Sequence, residues 1–63
     1  MTPKESKQEI ATLILEVNSA RSKIARTIES GAVNSIAETY LFNADEKLAE
    51  ALTNLDFAFH FNR

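Results

Sequence analysis

The chain has 63 residues, no cysteine and a formal net charge of −2. A chain of this length forms one domain at most, and without cysteine it has neither a disulfide framework nor a thiolate metal site. Because 44% of its residues are apolar, it differs from a disordered tail, and we expect it to share a core with a second chain. The longest aliphatic run, residues 13–15, cannot span a membrane, and residues 1–8 are too polar for a signal peptide. These features favour a cytoplasmic protein.

The first half of the chain predicts one long helix. Thr2 suits the N-cap, Pro3 suits the first helical position, and Glu5 completes a capping box. No helix-breaking residue follows until Gly31, which suits the left-handed position just after a helix. The predicted helix therefore covers about residues 3–30.

The second half predicts another helix, over about residues 35–59, after a turn at 31–34. Ser35 or Asn34 is the expected N-cap, and Asn43 offers a rival start. Two sets of residues that each recur every seven positions favour a single helix running through Asn43. The first set is Leu41, Leu48 and Leu55, and the second is Ala37, Ala44, Ala51 and Ala58.

A matching apolar stripe on the first helix predicts an antiparallel pair. Ile10, Val17 and Ile24 recur every seven residues and are interleaved with Leu13, Ala20 and Thr27, and Ile14 and Ile28 widen the stripe. A connection of about four residues forces the helices to lie antiparallel. The predicted fold is therefore all-α, a single αα-hairpin domain over residues 1–63. Several apolar residues fall outside this stripe, so we expect a homo-oligomer, most simply a dimer that forms a four-helix bundle. They are Leu15, Phe42, Leu52, Phe57, Phe59 and Phe61.

Charged residues offer two weak candidate surfaces. Arg21, Lys23 and Arg26 form a short basic group, either a phosphate-contacting patch or an ordinary solvated face. The second helix carries an acidic outer face, which could contact a partner, mimic a nucleic acid or simply confer solubility. Its members are Glu38, Asp45, Glu46, Glu50 and Asp56.

No constellation for catalysis, a metal or another cofactor is evident in the sequence. The only histidine, His60, lies near the end of the second predicted helix and has no nucleophile at a readable spacing. Glu46 and Glu50 lack the Glu-x-x-His pairs that di-metal bundles use. There is no glycine-rich loop for a phosphate. We therefore expect a protein that is not an enzyme.

The C-terminal segment holds three alternating phenylalanines, Phe57, Phe59 and Phe61. In an extended tail the three rings would line one side and could lie across another subunit or a host protein. In a helix they would spread over about 200° and could not share one groove. The rings either close a dimer or bind a partner, and stacking on nucleic acid is a weaker third interpretation because no Lys or Arg is interleaved with them.

The architecture resembles the Rop family of plasmid copy-control hairpins. The likeness lies in the two capped helices of near-equal length, the tight turn and the Leu/Ala layers. It carries no residue motif, so no RNA-binding position is transferred. It implies an alternative function, a nucleic-acid-binding regulator that would use Arg21, Lys23 and Arg26.

The two ends of the chain resemble the small early proteins encoded in the exo–xis region of lambdoid bacteriophages. The resemblance rests on residues 1–10 (MTPKESKQEI) and 50–63 (EALTNLDFAFHFNR) of a 63-residue product. It implies a non-enzymatic accessory factor that is made early in infection in the bacterial cytoplasm. Such a factor would influence phage development or host physiology, and the lytic–lysogenic outcome. We expect it to act through protein–protein interaction.

Overall fold

A computed structural model describes residues 1–62 as two helices joined by a short turn. Helix α1 covers Pro3–Glu29 and helix α2 covers Ser35–Phe61. Each has 27 residues, and together they form a rod 46 Å long and about 15 Å wide. The all-helical hairpin and the continuous second helix through Asn43 are confirmed. Helix α2 ends at Phe61, two residues later than predicted, and α1 ends one residue earlier.

Local side-chain chemistry fixes the helix ends. The Thr2 hydroxyl accepts a hydrogen bond from the Glu5 backbone N–H at 3.1 Å, as an N-cap does. Gly31 has φ +70°, the left-handed conformation predicted for it. At the start of α2 the cap is Asn34, whose side-chain oxygen accepts from the Ala37 N–H at 2.8 Å. Ser35 is therefore the first helical residue rather than the cap.

Three contacts between the helices define an antiparallel register. The Lys7 ammonium lies 4.7 Å from the centre of the Phe59 ring, and Arg21 binds Asp45 near mid-length. At the open end the Asn62 side-chain amide donates to the Pro3 carbonyl at 3.2 Å. As the residue number rises along α1, the number of the facing residue on α2 falls. This register brings Ile14 level with Leu52, and Val17 level with Leu48.

The contact seam is rotated from the predicted stripe. On both helices the half-buried side chains lie mainly in two rows that repeat every seven residues. The first row is the predicted one, and the second matches the prediction only at Ile14 and Ile28. The second row is Lys7, Ile14, Arg21 and Ile28 on α1, and Glu38, Asp45, Leu52 and Phe59 on α2. The predicted second row is confirmed at Ala20, Ala37 and Ala51, which are half-buried. It is wrong at Leu13, Thr27, Ala44 and Ala58, which are exposed. In a two-helix contact the longer side chains of Leu52 and Phe59 bridge the gap between helices better than alanine does.

No residue within 1–62 is fully buried in the single hairpin. Even the central seam residues, such as Val17 and Leu48, keep part of their surface in contact with solvent. Within the same residues, neither helix contains an apolar stretch long enough to cross a bilayer. The hydrophobic seam of one chain is therefore a half-open layer rather than a closed core.

Candidate interaction surfaces

The C-terminal phenylalanines divide between two sides of α2. Because α2 is helical through Phe61, an extended tail with three rings on one side is excluded. The rings of Phe57 and Phe61 stack at 6.3 Å with an interplanar angle of 27°, and these residues are 56% and 71% exposed. Phe59 instead turns into the seam beneath Lys7. Only Phe57 and Phe61 form an exposed aromatic pair.

A shallow groove lies beside Phe59, on one side of the hairpin. It encloses about 350 Å³, and its floor is mainly apolar. At its rim the Asp56 carboxylate lies 3.5 Å from His60 Nε2, one helical turn along α2. The lining residues are Ala11, Ile14, Leu15, Asp56, Phe59 and His60. None of the predicted sites included this groove, although Phe59 was among the candidate partner residues.

The predicted basic group is divided by the fold. Arg21 Nε donates to Asp45 Oδ1 at 2.9 Å, and Arg21 Nη2 donates to Asp45 Oδ2 at 3.2 Å. This two-pronged pair fixes the guanidinium in the seam between the helices. Lys23 and Arg26 lie together near the turn, where they line a shallow depression with Thr27 and Ser30. Lys23 and Arg26 alone of the three are available to bind an external anion.

The predicted acidic outer face also loses members to the seam. Asp45 pairs with Arg21, and Glu38 is half-buried on the side facing α1, so neither lies on the outside. Glu46 and Glu50 remain exposed, and Glu50 lies 3.7 Å from the Lys47 ammonium. The outer surface of α2 is therefore of mixed charge rather than uniformly acidic.

The Arg21–Asp45 pair shifts the titration of its carboxyl. Hydrogen bonds from Arg21 hold the pKa of Asp45 below its ordinary value, and the arginine charge adds to this while desolvation opposes it. An unfolded aspartate titrates near pH 4. Since the folded pKa is depressed, the pair stabilises the fold above that pH, and the contribution is lost as the pH falls through the folded pKa.

Replacing Arg21 with Met is therefore expected to raise the pKa of Asp45. An NMR titration of the side-chain carboxyl carbons measures this directly. The matched variant Lys23→Met removes a charge of the same sign from the same helix and should leave Asp45 unchanged. An Asp45 titration that is identical in the Arg21→Met variant and the unmodified chain would show that the pair does not form in solution.

The chain matches no known protein family, no curated protein and no solved structure.

Proposed function

We propose that this chain is a non-enzymatic accessory protein that acts by binding another protein. In line with the resemblance of its two ends to early proteins of the lambdoid exo–xis region, it would be made early in phage infection. It would act in the bacterial cytoplasm as a helical dimer, and would modulate phage development or host physiology, including the choice between lysis and lysogeny.

The observation that carries this proposal is the exposed aromatic pair. Phe57 lies two residues from both Leu55 and Phe59, which face α1, so it points away from the hairpin seam. Phe61 stacks on it from the next turn. Two adjacent exposed rings lower the solubility of the protein and do not add to the packing of the seam. Aromatic anchors of this kind carry a large share of the binding energy at protein interfaces. The partner that fits is a protein with an apolar cleft wide enough for two stacked rings.

The alternative function, binding of nucleic acid, has less support. Arg21 is already bound to Asp45, so each chain offers Lys23 and Arg26 near the turn. A dimer would offer two such pairs, while its net charge of −4, twice the −2 of one chain, would repel phosphates. Binding through Lys23 and Arg26 would weaken steeply as salt is raised.

The test compares three forms of the chain as bait in infected bacterial cells: unmodified, Phe57→Ser/Phe61→Ser, and Phe42→Ser. Phe42 is a matched control because it lies on α2 and is 55% exposed, almost the same as Phe57. We expect one captured protein to be retained by the unmodified chain and by Phe42→Ser, and lost with the double variant. With that protein purified, the double variant should bind at least about a hundredfold more weakly.

The proposal is contradicted if the purified partner binds the double variant as tightly as the unmodified chain. It is also contradicted if the only captured ligand is DNA or RNA whose binding disappears at high salt. In that case Lys23→Met/Arg26→Met should abolish the binding, and the alternative function would replace this one.

A further inference from the structure

One side of the hairpin lies open opposite the groove. Ala11 and Leu15 on α1 share the groove with Asp56 and His60 on α2, which fixes the side that these four residues occupy. A helix turns 100° per residue, so a residue two positions away lies about 160° around the axis. Leu13 is two positions from both Ala11 and Leu15, and it therefore lies on the opposite side of the rod.

The alanine row of α2 lies on that side as well. Ala58 is two positions from both Asp56 and His60, and the seven-residue repeat continues its row back along the helix. We call this surface the open face. It consists of Leu13, Ala20 and Thr27 on α1, and Ala37, Ala44, Ala51 and Ala58 on α2. None of these seven residues is charged, but Glu9, Glu16 and Lys23 on α1 and Lys47 on α2 flank them one helical turn away. The two main aliphatic rows, which include Val17 and Leu48, lie half-exposed beside this face.

The exposed area of the hairpin is larger than a monomer of its mass requires. The chain exposes 4839 Å², whereas a compact monomer of 7.0 kDa exposes about 4,000 Å². The excess, about 800 Å² by these two values, equals what one partner contributes to a standard protein interface. In agreement with this excess of exposed area, no residue within 1–62 is fully buried.

We infer that the open face is covered by the open face of a second copy of this chain, which completes a four-helix core. This inference rests on the proposed dimer and names the surface that forms it. The two helices have equal lengths, so a copy related by a two-fold axis covers the rod from end to end. Leucines of one copy then pack over alanines of the other, and the small side chains allow a close approach of the helices. The uncharged row of each copy can pack on that of the other, and the flanking charges include both acidic and basic residues, Glu9, Glu16, Lys23 and Lys47, so neither sign dominates the rim.

The arrangement leaves the groove, Phe57 and the Arg21–Asp45 pair outside the new core, while Phe61 lies at its edge, three residues after Ala58. A dimer through the open face therefore presents two copies of Phe57 instead of covering them. Dimer formation and partner binding can then be lost independently of each other.

The test is sedimentation velocity on four forms of the whole chain: unmodified, Ala44→Glu, Ala44→Ser and Ala25→Glu. Ala44 and Ala25 are both exposed in the single hairpin, but Ala25 lies in the row of Ala11, on the groove side. We expect the unmodified chain, Ala44→Ser and Ala25→Glu to sediment as dimers. In Ala44→Glu two carboxylates would enter each interface, so the dissociation constant should rise roughly 100-fold or more. Circular dichroism reports whether each variant stays helical.

Each outcome bears on the inference. The inference is supported if the Ala44→Glu variant is monomeric. It is also supported if that variant unfolds while Ala25→Glu remains a folded dimer, because Ala44 is exposed in the single hairpin. The assignment of the face is overturned if Ala44→Glu remains a dimer, or if Ala25→Glu dissociates the dimer as well. An unmodified chain that is monomeric at several hundred micromolar overturns the dimer itself. If such a monomer still binds its partner through Phe57 and Phe61, the protein-binding function stands while the open-face dimer falls.

Discussion

Replacing Leu48 with Asp is expected to unfold the hairpin under conditions in which the unmodified chain is folded. Leu48 lies half-buried in the middle of the seam, level with Val17. The substitution removes the packing of a leucine and places an unpaired carboxylate between apolar side chains, at a cost of about 3 kcal/mol or more. A domain of this size is stable by only about 3–9 kcal/mol in total. Thermal unfolding followed by circular dichroism measures the loss.

The matched control is Leu15→Asp, the same substitution at a leucine that is 69% exposed. It should change the free energy of unfolding by no more than about 0.5–1 kcal/mol. Equal unfolding midpoints for the two variants would show that Leu48 does not lie in the seam and that the helices pack through another face.

Replacing Phe59 with Ser is expected to destabilise the fold, while Phe61→Ser leaves its stability nearly intact. Phe59 is half-buried against α1, and its ring contacts Lys7. Loss of this burial should cost about 2 kcal/mol. Phe61 is 71% exposed and stacks mainly on Phe57, so its removal should cost about 0.5 kcal/mol or less. Urea unfolding of the two single variants measures the difference.

The effects of the two substitutions on partner binding should have the reverse order. Phe61→Ser should weaken it, whereas Phe59→Ser should affect it only through the loss of folded protein. Equal stabilities for the two variants would mean that the end of α2 is detached from α1. A larger loss of stability from Phe61→Ser would mean that Phe61, rather than Phe59, closes the structure.

The helices could be predicted from the sequence because their signals are local. Thr2, Pro3 and Gly31 act through their own backbone preferences and neighbouring N–H groups, and each does in the structure what its residue type indicates. The seven-residue repeat of Leu41, Leu48 and Leu55 likewise survives as a half-buried row. Such features do not depend on how the two helices are rotated about their axes.

The rotation of the helices could not be predicted from the apolar repeat alone. Two rows flank the leucine row of α2. One of them consists of alanines, and the other contains Asp45, Leu52 and Phe59. The ion pair between Arg21 and Asp45 and the contact of Lys7 with Phe59 favour the second row. A search for opposite charges at matched heights of an antiparallel pair would have found the first of these contacts. Without that pairing, Arg21 groups with Lys23 and Arg26, and Asp45 falls on the acidic outer face.

The alanine row remains informative although the hairpin covers only two of its members, Ala37 and Ala51, in part. Four alanines spaced by seven run from Ala37 to Ala58, and the single hairpin leaves Ala44 and Ala58 exposed. In a bundle of four helices each helix contacts two neighbours, so the rows on both flanks of the leucines are used. We therefore interpret the seam and the open face as the two contacts of one helix in a four-helix core.

An isotope-filtered NOE experiment on an equal mixture of ¹³C-labelled and unlabelled chains tests this arrangement most directly. This experiment detects contacts between two copies of the chain and excludes contacts within one hairpin. We expect intermolecular NOEs at the methyl groups of Leu13, Ala44 and Ala51, and none at Leu15, which faces the groove. Intermolecular NOEs confined to Leu15 and Ala11, or none at millimolar concentration, would contradict a four-helix core built on the open face.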